Sequence, residues 1–313
     1  MTAGAQSLSI LIFHRVVSER DVMRPSEPTV AEFDWQMRHL RRSYNPMPLL
    51  EAVQALGNRS LPNRAVCVTF DDGYADNARI ALPVLKKYAI PATVFISTGF
   101  INGGRMWNDT VIEALRGFEG SQLDLQSLQL GCYPTATQAE RLAAVDGILT
   151  AIKHLDPEKR AERVAGIAAL ADSLPDNLML TDAQLRQLAD ADIDIGAHTV
   201  NHPILTSIDE DLASREIEQS KHTLEHIVQR DVRVFAYPNG RPQLDYSTVH
   251  RDMVAAAGFE AAVSTHWGVA VPASDRFQLP RFTPWDRKPL AFAARLALNL
   301  RNRDPLARST ALS

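Results

Sequence analysis

The sequence has few of the features that mark several large protein classes. Only two cysteines, Cys67 and Cys132, occur in 313 residues, and they lie far apart, which argues against a disulfide framework. No apolar run approaches the roughly 20 residues of a membrane-spanning helix. The 33 basic and 37 acidic residues leave a formal charge of -4 without a long block of one sign. This balance argues against nucleic acid as a partner.

The two ends of the sequence also lack strong targeting signals. The run "SLSILIF" is shorter than the apolar part of a signal peptide and follows no basic residue; we therefore predict a first strand and a cytoplasmic protein. The segment "PLAFAARLALNLRNR" is amphipathic and carries arginines. We predict a helix docked on the fold, with peripheral contact to the inner membrane surface as the alternative.

Apolar runs and amphipathic segments alternate along the chain, which is typical of an α/β fold with a parallel sheet. Near-continuous apolar strands indicate burial on both faces, as in a barrel or a doubly wound sheet. The candidate strands are "LSILIF", "AVCVTF", "ATVFIS", "IDIGA", "VRVFAY", "AAVS" and the weaker "RFQLPRF".

Residues 101–180 interrupt this alternation. They contain a Gly-Gly turn, the aromatic "MWND" and alanine-rich helical sequence without a clear strand. We predict a helical insertion within one domain that spans residues 1–313. The insertion either covers the active-site mouth as a lid or serves as a structural cap.

Polar residues follow several candidate strands, where parallel α/β folds build their active sites. Asp71 and Asp72 follow "AVCVTF", and His198 and His202 follow "IDIGA". Two histidines and one carboxylate can hold a divalent metal and leave positions open for water and substrate. If the chain turns at Gly73, the second carboxylate faces the same cleft and can accept a proton.

Four segments in order resemble the polysaccharide deacetylases, whose catalytic region is the NodB homology domain of carbohydrate esterase family 4. "ILIFHRV", "TFDDG", "HTVNH" and "FAYPNG" are similar to motifs of the branch that acts on envelope glycans, and the resemblance extends over residues 8–282. It implies a distorted (β/α)7 barrel related to the TIM barrel. It also implies zinc as the metal, with cobalt, nickel or iron as alternatives.

The resemblance implies roles for individual residues. Asp71 corresponds to the catalytic base, and the implied metal ligands are Asp72, His198 and His202. The implied substrate groove includes Tyr237, Pro238 and Asn239. Many relatives have an arginine early in the third motif, where this chain has Phe235 and Ala236. Arg281 is the candidate replacement at the site; the alternative is an ordinary salt bridge.

The general acid is the least defined role. "VSTHWG" offers His266 at about the position of the family's last motif, and we assign it the acid role. His14 is the competing acid and otherwise supports substrate binding. Neither assignment follows from spacing alone.

The expected activity is hydrolysis of N-acetyl groups on amino sugars of a glycan or glycan precursor. One alternative is a metal-dependent amidohydrolase acting on a small amide, a formamide or a cyclic imide. Another is a non-catalytic glycan-binding relative. The sequence does not indicate an oligomeric state.

Overall fold

The computed structural model describes residues 6–309 of the chain. Its strands, in chain order, are β1 Leu8–Phe13, β2 Asn45–Pro46, β3 Ala65–Phe70, β4 Ala92–Ile96, β5 Gln122–Asp124, β6 Cys132–Pro134, β7 Asp194–Ala197, β8 Val234–Ala236 and β9 Ala261–Val263. Its α-helices are α1 Val30–Ser43, α2 Leu49–Gly57, α3 Leu82–Tyr88, α4 Trp107–Gly117, α5 Gln138–Lys153, α6 Pro157–Ala168, α7 Asp182–Asp190, α8 Glu210–Val228, α9 Thr248–Ala256, α10 Pro289–Asn299 and α11 Pro305–Ser309.

The central sheet is parallel, with the order β1-β3-β4-β7-β8-β9 and β2 beside β3. The segment predicted as a last strand, "RFQLPRF", lies between β9 at one edge of the sheet and β1 at the other and forms hydrogen bonds with both. Leu279 N–H donates to Ala262 O at 3.0 Å, and Phe282 N–H donates to Ile10 O at 2.9 Å. The sheet is curled into a half-barrel, and the predicted α/β fold of distorted-barrel type is confirmed.

The strands are apolar because both of their faces are buried. Every residue of β1, β3 and β4 is buried. One hydrophobic cluster joins the outer face to the helices, whereas a second fills the interior and includes Ile10, Cys67 and Phe95. Burial on both faces removes the period-two alternation of a half-exposed strand. Cys67 therefore packs as a small apolar side chain.

The interrupting segment lies between β4 and α7 and has a hydrophobic cluster of its own. Helices α4, α5 and α6 supply most of that cluster, and Met23 joins it from the loop after β1. The expectation of no strand was wrong, because β5 and β6 form a short antiparallel pair. Strands of three residues are too short to show a period in the sequence.

A buried arginine fastens this segment to the barrel. Arg24, in the loop after β1, donates to Asp109 at 2.6 Å and to Glu113 at 2.6 Å, both on α4. The side chains of Arg24 and Asp109 are only 7% and 1% exposed. Removal of one partner from such a pair leaves an uncompensated buried charge.

Replacing Arg24 by alanine is therefore expected to lower the free energy of unfolding of α4 by about 3 kcal/mol. Faster amide hydrogen exchange confined to residues 107–117 is the measurement. Arg20→Ala is the matched control, because Arg20 lies in the same loop but pairs with Glu32 at a partly exposed position. Equal amide exchange rates of residues 107–117 in both variants would contradict a stabilising role for the ion pairs of Arg24.

The amphipathic segment near the end of the chain forms α10, which packs on α1. Phe292 is buried and meets Trp35 edge to face at 5.3 Å between ring centroids. Between residues 6 and 309, no helix has the length and apolar character needed to cross a bilayer. The docked-helix interpretation agrees with this packing.

Candidate metal centre and active-site cavity

The ends of three strands supply most of the candidate site. His14 follows β1, the pair Asp71 and Asp72 follows β3, and His198 follows β7. Parallel strands end at the same edge of their sheet, so these residues converge although they are distant in sequence. All of them line one cavity.

The turn after β3 aims both carboxylates into that cavity. Asp72 and Gly73 have φ angles of +74° and +88°, in the left-handed region that costs a non-glycine residue about 1–3 kcal/mol. Sequence reasoning placed this turn at Gly73 alone. In the structure, Asp72 and Gly73 both adopt the left-handed backbone conformation that forms it. A Cβ atom at Gly73 would lie 3.1 Å from Ile96 Cγ2. The positive φ angle and this close approach to Ile96 both disfavour a residue with a side chain at that position.

Asp72, His198 and His202 present three donor atoms to one point. Asp72 Oδ1 lies 3.6 Å from His198 Nε2 and 3.5 Å from His202 Nε2. All three donor atoms fall within 4.8 Å of one another. Ligands about 2.0–2.2 Å from a tetrahedral zinc are roughly 3.4 Å apart. The spacing between Asp72 and the two histidines is therefore close to that of a metal site.

Unpaired donor atoms support the same interpretation. Asp72 Oδ1 and His198 Nε2 are buried and have no hydrogen-bond partner within the described chain, a costly arrangement unless a cation binds them. His198 Nδ1 lies 2.7 Å from the Ala236 carbonyl oxygen. That carbonyl can only accept, so Nδ1 carries the proton and Nε2 keeps its lone pair for a metal. The three residues fit a divalent ion.

Burial keeps the two histidines neutral. It lowers the pKa of His198 to about 4, although Asp71 opposes the shift. Burial and then the neighbouring His198 lower the pKa of His202 well below its ordinary value. Neutral imidazole is the form that binds a metal.

Asp71 is held by a buried arginine from the other end of the chain. Arg281 Nη1 and Nη2 each donate to one carboxylate oxygen of Asp71 at 2.7 Å. Burial alone would raise the pKa of Asp71, but the Arg281 guanidinium, together with His198 and His14, outweighs burial and lowers that pKa to about 2. Burial and the negative Asp71 raise the pKa of Asp72. The pair is therefore asymmetric, with Asp71 ionised and fixed in orientation.

Glu216 holds the loop that carries His202, a role that sequence reasoning missed. Its carboxylate accepts from the N–H groups of Val200 and Asn201 at 2.8 Å each, and from Asn201 Nδ2 at 2.7 Å. Thr199 and His202 both have positive φ angles, so this loop needs such anchors. The available signal was a charge at a buried position of amphipathic helix α8.

The two candidate acids lie in different surroundings. His14 lines the cavity and interacts electrostatically with Asp71. His266 is not among the cavity-lining residues; its Nε2 lies 3.0 Å from Asp304 Oδ1 and its Nδ1 lies 2.5 Å from Ser264 Oγ. Both ring nitrogens of His266 are thus engaged by Asp304 and Ser264, away from the candidate ligands Asp72, His198 and His202. The geometry favours His14 over our sequence-based choice of His266.

Of the four residues predicted to contact substrate, one lines the cavity and three do not. Asn239 lines the cavity. Tyr237 is fully buried, and its hydroxyl donates to Phe277 O at 3.0 Å. Its ring stacks on that of Tyr246, with 3.7 Å between the ring centroids. Pro238 is buried beside it, and neither reaches the cavity wall. Arg281 is fully buried behind Asp71, so its contact is with the carboxylate.

The cavity around these residues has a volume of about 680 Å³. Its floor is formed by the strand ends, and one wall is the loop after β1 from Met23 to Glu27. The segment between β4 and α7 adds residues of α4 and α5, among them Trp107 and Lys153. This volume suits a small ligand or a short part of a polymer.

Fold and site together are those of α/β barrel enzymes that work at the carboxyl ends of their strands. The family model described as polysaccharide deacetylase matches residues 58–262. The chain belongs to the polysaccharide deacetylase family, whose members are hydrolases that act on acetylated polysaccharides.

Individual relatives are distant. YxkH of Bacillus subtilis strain 168, assigned to the polysaccharide deacetylases, is 22% identical over 271 residues, which are 86% of this chain and 68% of that protein. The structure of IcaB from Ammonifex degensii is similar with a TM-score of 0.61 at 20% identity, covering 94% of this chain and 97% of that chain. The Streptococcus pyogenes deacetylase PplD, solved with acetate, has a TM-score of 0.59 at 21% identity, with coverages of 90% and 93%. At these identities the two structures share the fold with this chain.

Proposed function

We propose that this protein is a metal-dependent hydrolase that removes N-acetyl groups from amino sugars of a glycan or glycan precursor. The observation that carries the proposal is the cluster of Asp72, His198 and His202 beside an ionised Asp71. A glycan-binding protein would need neither a buried base nor a convergent set of unpaired donors. The family membership supports the same reaction class.

The proposed ligands favour zinc among the candidate ions, since two imidazoles and one carboxylate are common zinc donors; cobalt, nickel and iron also accept them. When bound, such an ion supplies a Lewis acid that polarises an acetyl carbonyl and lowers the pKa of water. Asp71 is the proposed base, which accepts the proton of the attacking water. Arg281 is the proposed positioning residue, because its two hydrogen bonds fix the Asp71 carboxylate.

His14 is the proposed general acid. An amide nitrogen leaves only when it is protonated, and imidazole is the side chain best suited to donate near neutral pH. His14 lines the same cavity as Asp71 and the three proposed ligands. His266 is a proposed structural residue instead, since Asp304 and Ser264 engage its ring.

The substrate side of the proposal rests on Asn239. Tyr237 and Pro238 are buried behind it and support its position. The backbone N–H of Tyr237 is not free to stabilise an oxyanion, because it donates to Val263 O at 3.2 Å. A proline follows, which has no N–H, so Asn239 is the next residue that could supply a backbone donor.

A second candidate function is hydrolysis of a small amide, formamide or cyclic imide. The observation that favours it is the wall that α4 and α5 add to the cavity, which narrows the space available to a long polymer. The same base and ligand set would serve either substrate class.

Acetate release is expected from N-acetylglucosamine oligomers of two to six units when the purified protein is loaded with zinc, and an enzyme-coupled acetate assay measures it. A chelator should abolish release and added zinc should restore it. N-acetylated small amides, assayed for acetate, and formamides, assayed for formate, form the second arm of the panel. Turnover in that arm alone would favour the second function, and no turnover in either arm would contradict both.

Three further expectations remain proposals. They are a cytoplasmic location, one catalytic domain over residues 1–313, and a lid role for residues 101–180.

A further inference from the structure

A second cavity of about 580 Å³ lies between α4, α6 and the start of α8. We call it the insertion cavity. Its walls are mainly apolar, with Trp107, Val164, Ala165 and Leu212 among the lining residues. The volume falls in the range of small-molecule sites. No step of the proposed reaction uses this cavity.

Arg160 is a buried cation at the wall of the insertion cavity. It is only 6% exposed, and within residues 6–309 no carboxylate oxygen lies within 4.0 Å of its guanidinium. Its guanidinium carbon lies 5.1 Å from the centroid of the Trp107 ring, and Nη1 donates one long hydrogen bond to Lys153 O at 3.5 Å. A buried guanidinium has five N–H donors and is costly without an anion. Arg160 therefore has donors to spare for a ligand.

The other charged groups at this wall do not neutralise Arg160. The Glu216 carboxylate accepts from Val200 and Asn201, and Glu158 is exposed to solvent. Arg105 donates to Thr110 Oγ1 and to Pro175 O. Asp156, which caps the start of α6, attracts Arg160 electrostatically, but it is exposed to solvent and its carboxylate forms no ion pair with Arg160 within 4.0 Å. An anion inside the cavity would pair the guanidinium of Arg160 directly.

The insertion cavity also touches the loop of the proposed metal ligand. Asn201 and Pro203 line it, whereas His202 between them lines the active-site cavity. Trp107 lines both cavities. An occupant would therefore contact both neighbours of His202.

We propose that the insertion cavity binds a small amphiphilic carboxylate, with the carboxylate on Arg160 and the apolar body against α6 and α8. A guanidinium holds a carboxylate through two parallel hydrogen bonds. The apolar wall selects a hydrocarbon body over a sugar. Binding at this site does not depend on the proposed deacetylation, whereas the coupling to zinc described below rests on the proposed metal site.

Isothermal titration calorimetry with octanoate on the zinc-loaded full-length protein tests the site. Octanoate is expected to bind at one saturable site, and 1-octanol at least about tenfold more weakly because it lacks the charge-assisted hydrogen bonds. Arg160→Ala is expected to weaken octanoate binding by about tenfold or more while leaving 1-octanol unchanged.

Two variants make the result specific. Ala165→Trp fills the cavity from the same helix and should abolish binding of both probes. Arg163→Ala is the matched control, because Arg163 lies on α6 but donates to Gln129 at 2.7 Å and does not line the cavity. Absence of saturable octanoate binding, or binding that survives in both Arg160→Ala and Ala165→Trp, would overturn the proposal.

Contact with the loop of His202 predicts coupling between the two sites. Saturating octanoate is expected to change the zinc affinity by about fivefold or more, measured by competition with a chelator, and zinc should change octanoate affinity by the same factor. Equal zinc affinities with and without octanoate would overturn the coupling.

Discussion

Replacing Asp71 by asparagine is expected to lower kcat for acetate release by about 10³-fold, the size of a lost general base. Asparagine keeps the shape of the side chain but cannot accept the proton. Zinc content should stay close to one ion per chain, because the proposed ligands are Asp72, His198 and His202. Kinetics and elemental analysis on the same preparation measure both quantities.

A matched carboxylate outside the cavity separates this effect from a general loss of charge. Asp252 is largely exposed, and within residues 6–309 its one ion pair is with Arg251, so Asp252→Asn should keep wild-type kcat. Loss of zinc in Asp71→Asn would contradict the division of roles between Asp71 and Asp72. Undiminished turnover would remove Asp71 from the mechanism.

Replacing His198 or His202 by alanine is expected to remove both bound zinc and measurable acetate release. Each substitution leaves only two of the three proposed donors, too few for a stable site. Wild-type protein should gain about 2.7 kcal/mol of stability from zinc at 100 times its dissociation constant. The alanine variants should show no such gain in chemical denaturation with and without zinc.

His222→Ala is the control for these variants, because its imidazole is 76% exposed on α8. It should retain zinc, turnover and the stabilisation by zinc. Acetate release by a chelator-treated His202→Ala protein would contradict metal dependence altogether.

Much of the fold follows from local sequence patterns. Long apolar runs such as β3 are visible because a buried parallel strand needs apolar residues on both faces. The helix α1 begins after Thr29, whose capping box with Glu32 is visible in the sequence and present in the structure. By contrast, β2 has two residues and pairs only because β3 lies beside it. Such a short element has no pattern of its own.

Some features of the candidate site were also predictable from the sequence, and others were not. The spacing of His198 and His202 and the turn at Gly73 predicted a shared cleft, and the structure brings these residues together around Asp72. The direction of the His266 ring was not predictable. It depends on Asp304, which lies 38 positions further along the chain.

The sequence by itself determined which donors stand at the ends of the strands, because strand, turn and donor are adjacent in the chain. Only the tertiary structure decided how they are oriented and paired. Arg281 reaches Asp71 across 210 positions, and Glu216 on α8 anchors the loop of His202. Such contacts depend on the distance and direction between packed elements, which no local pattern specifies.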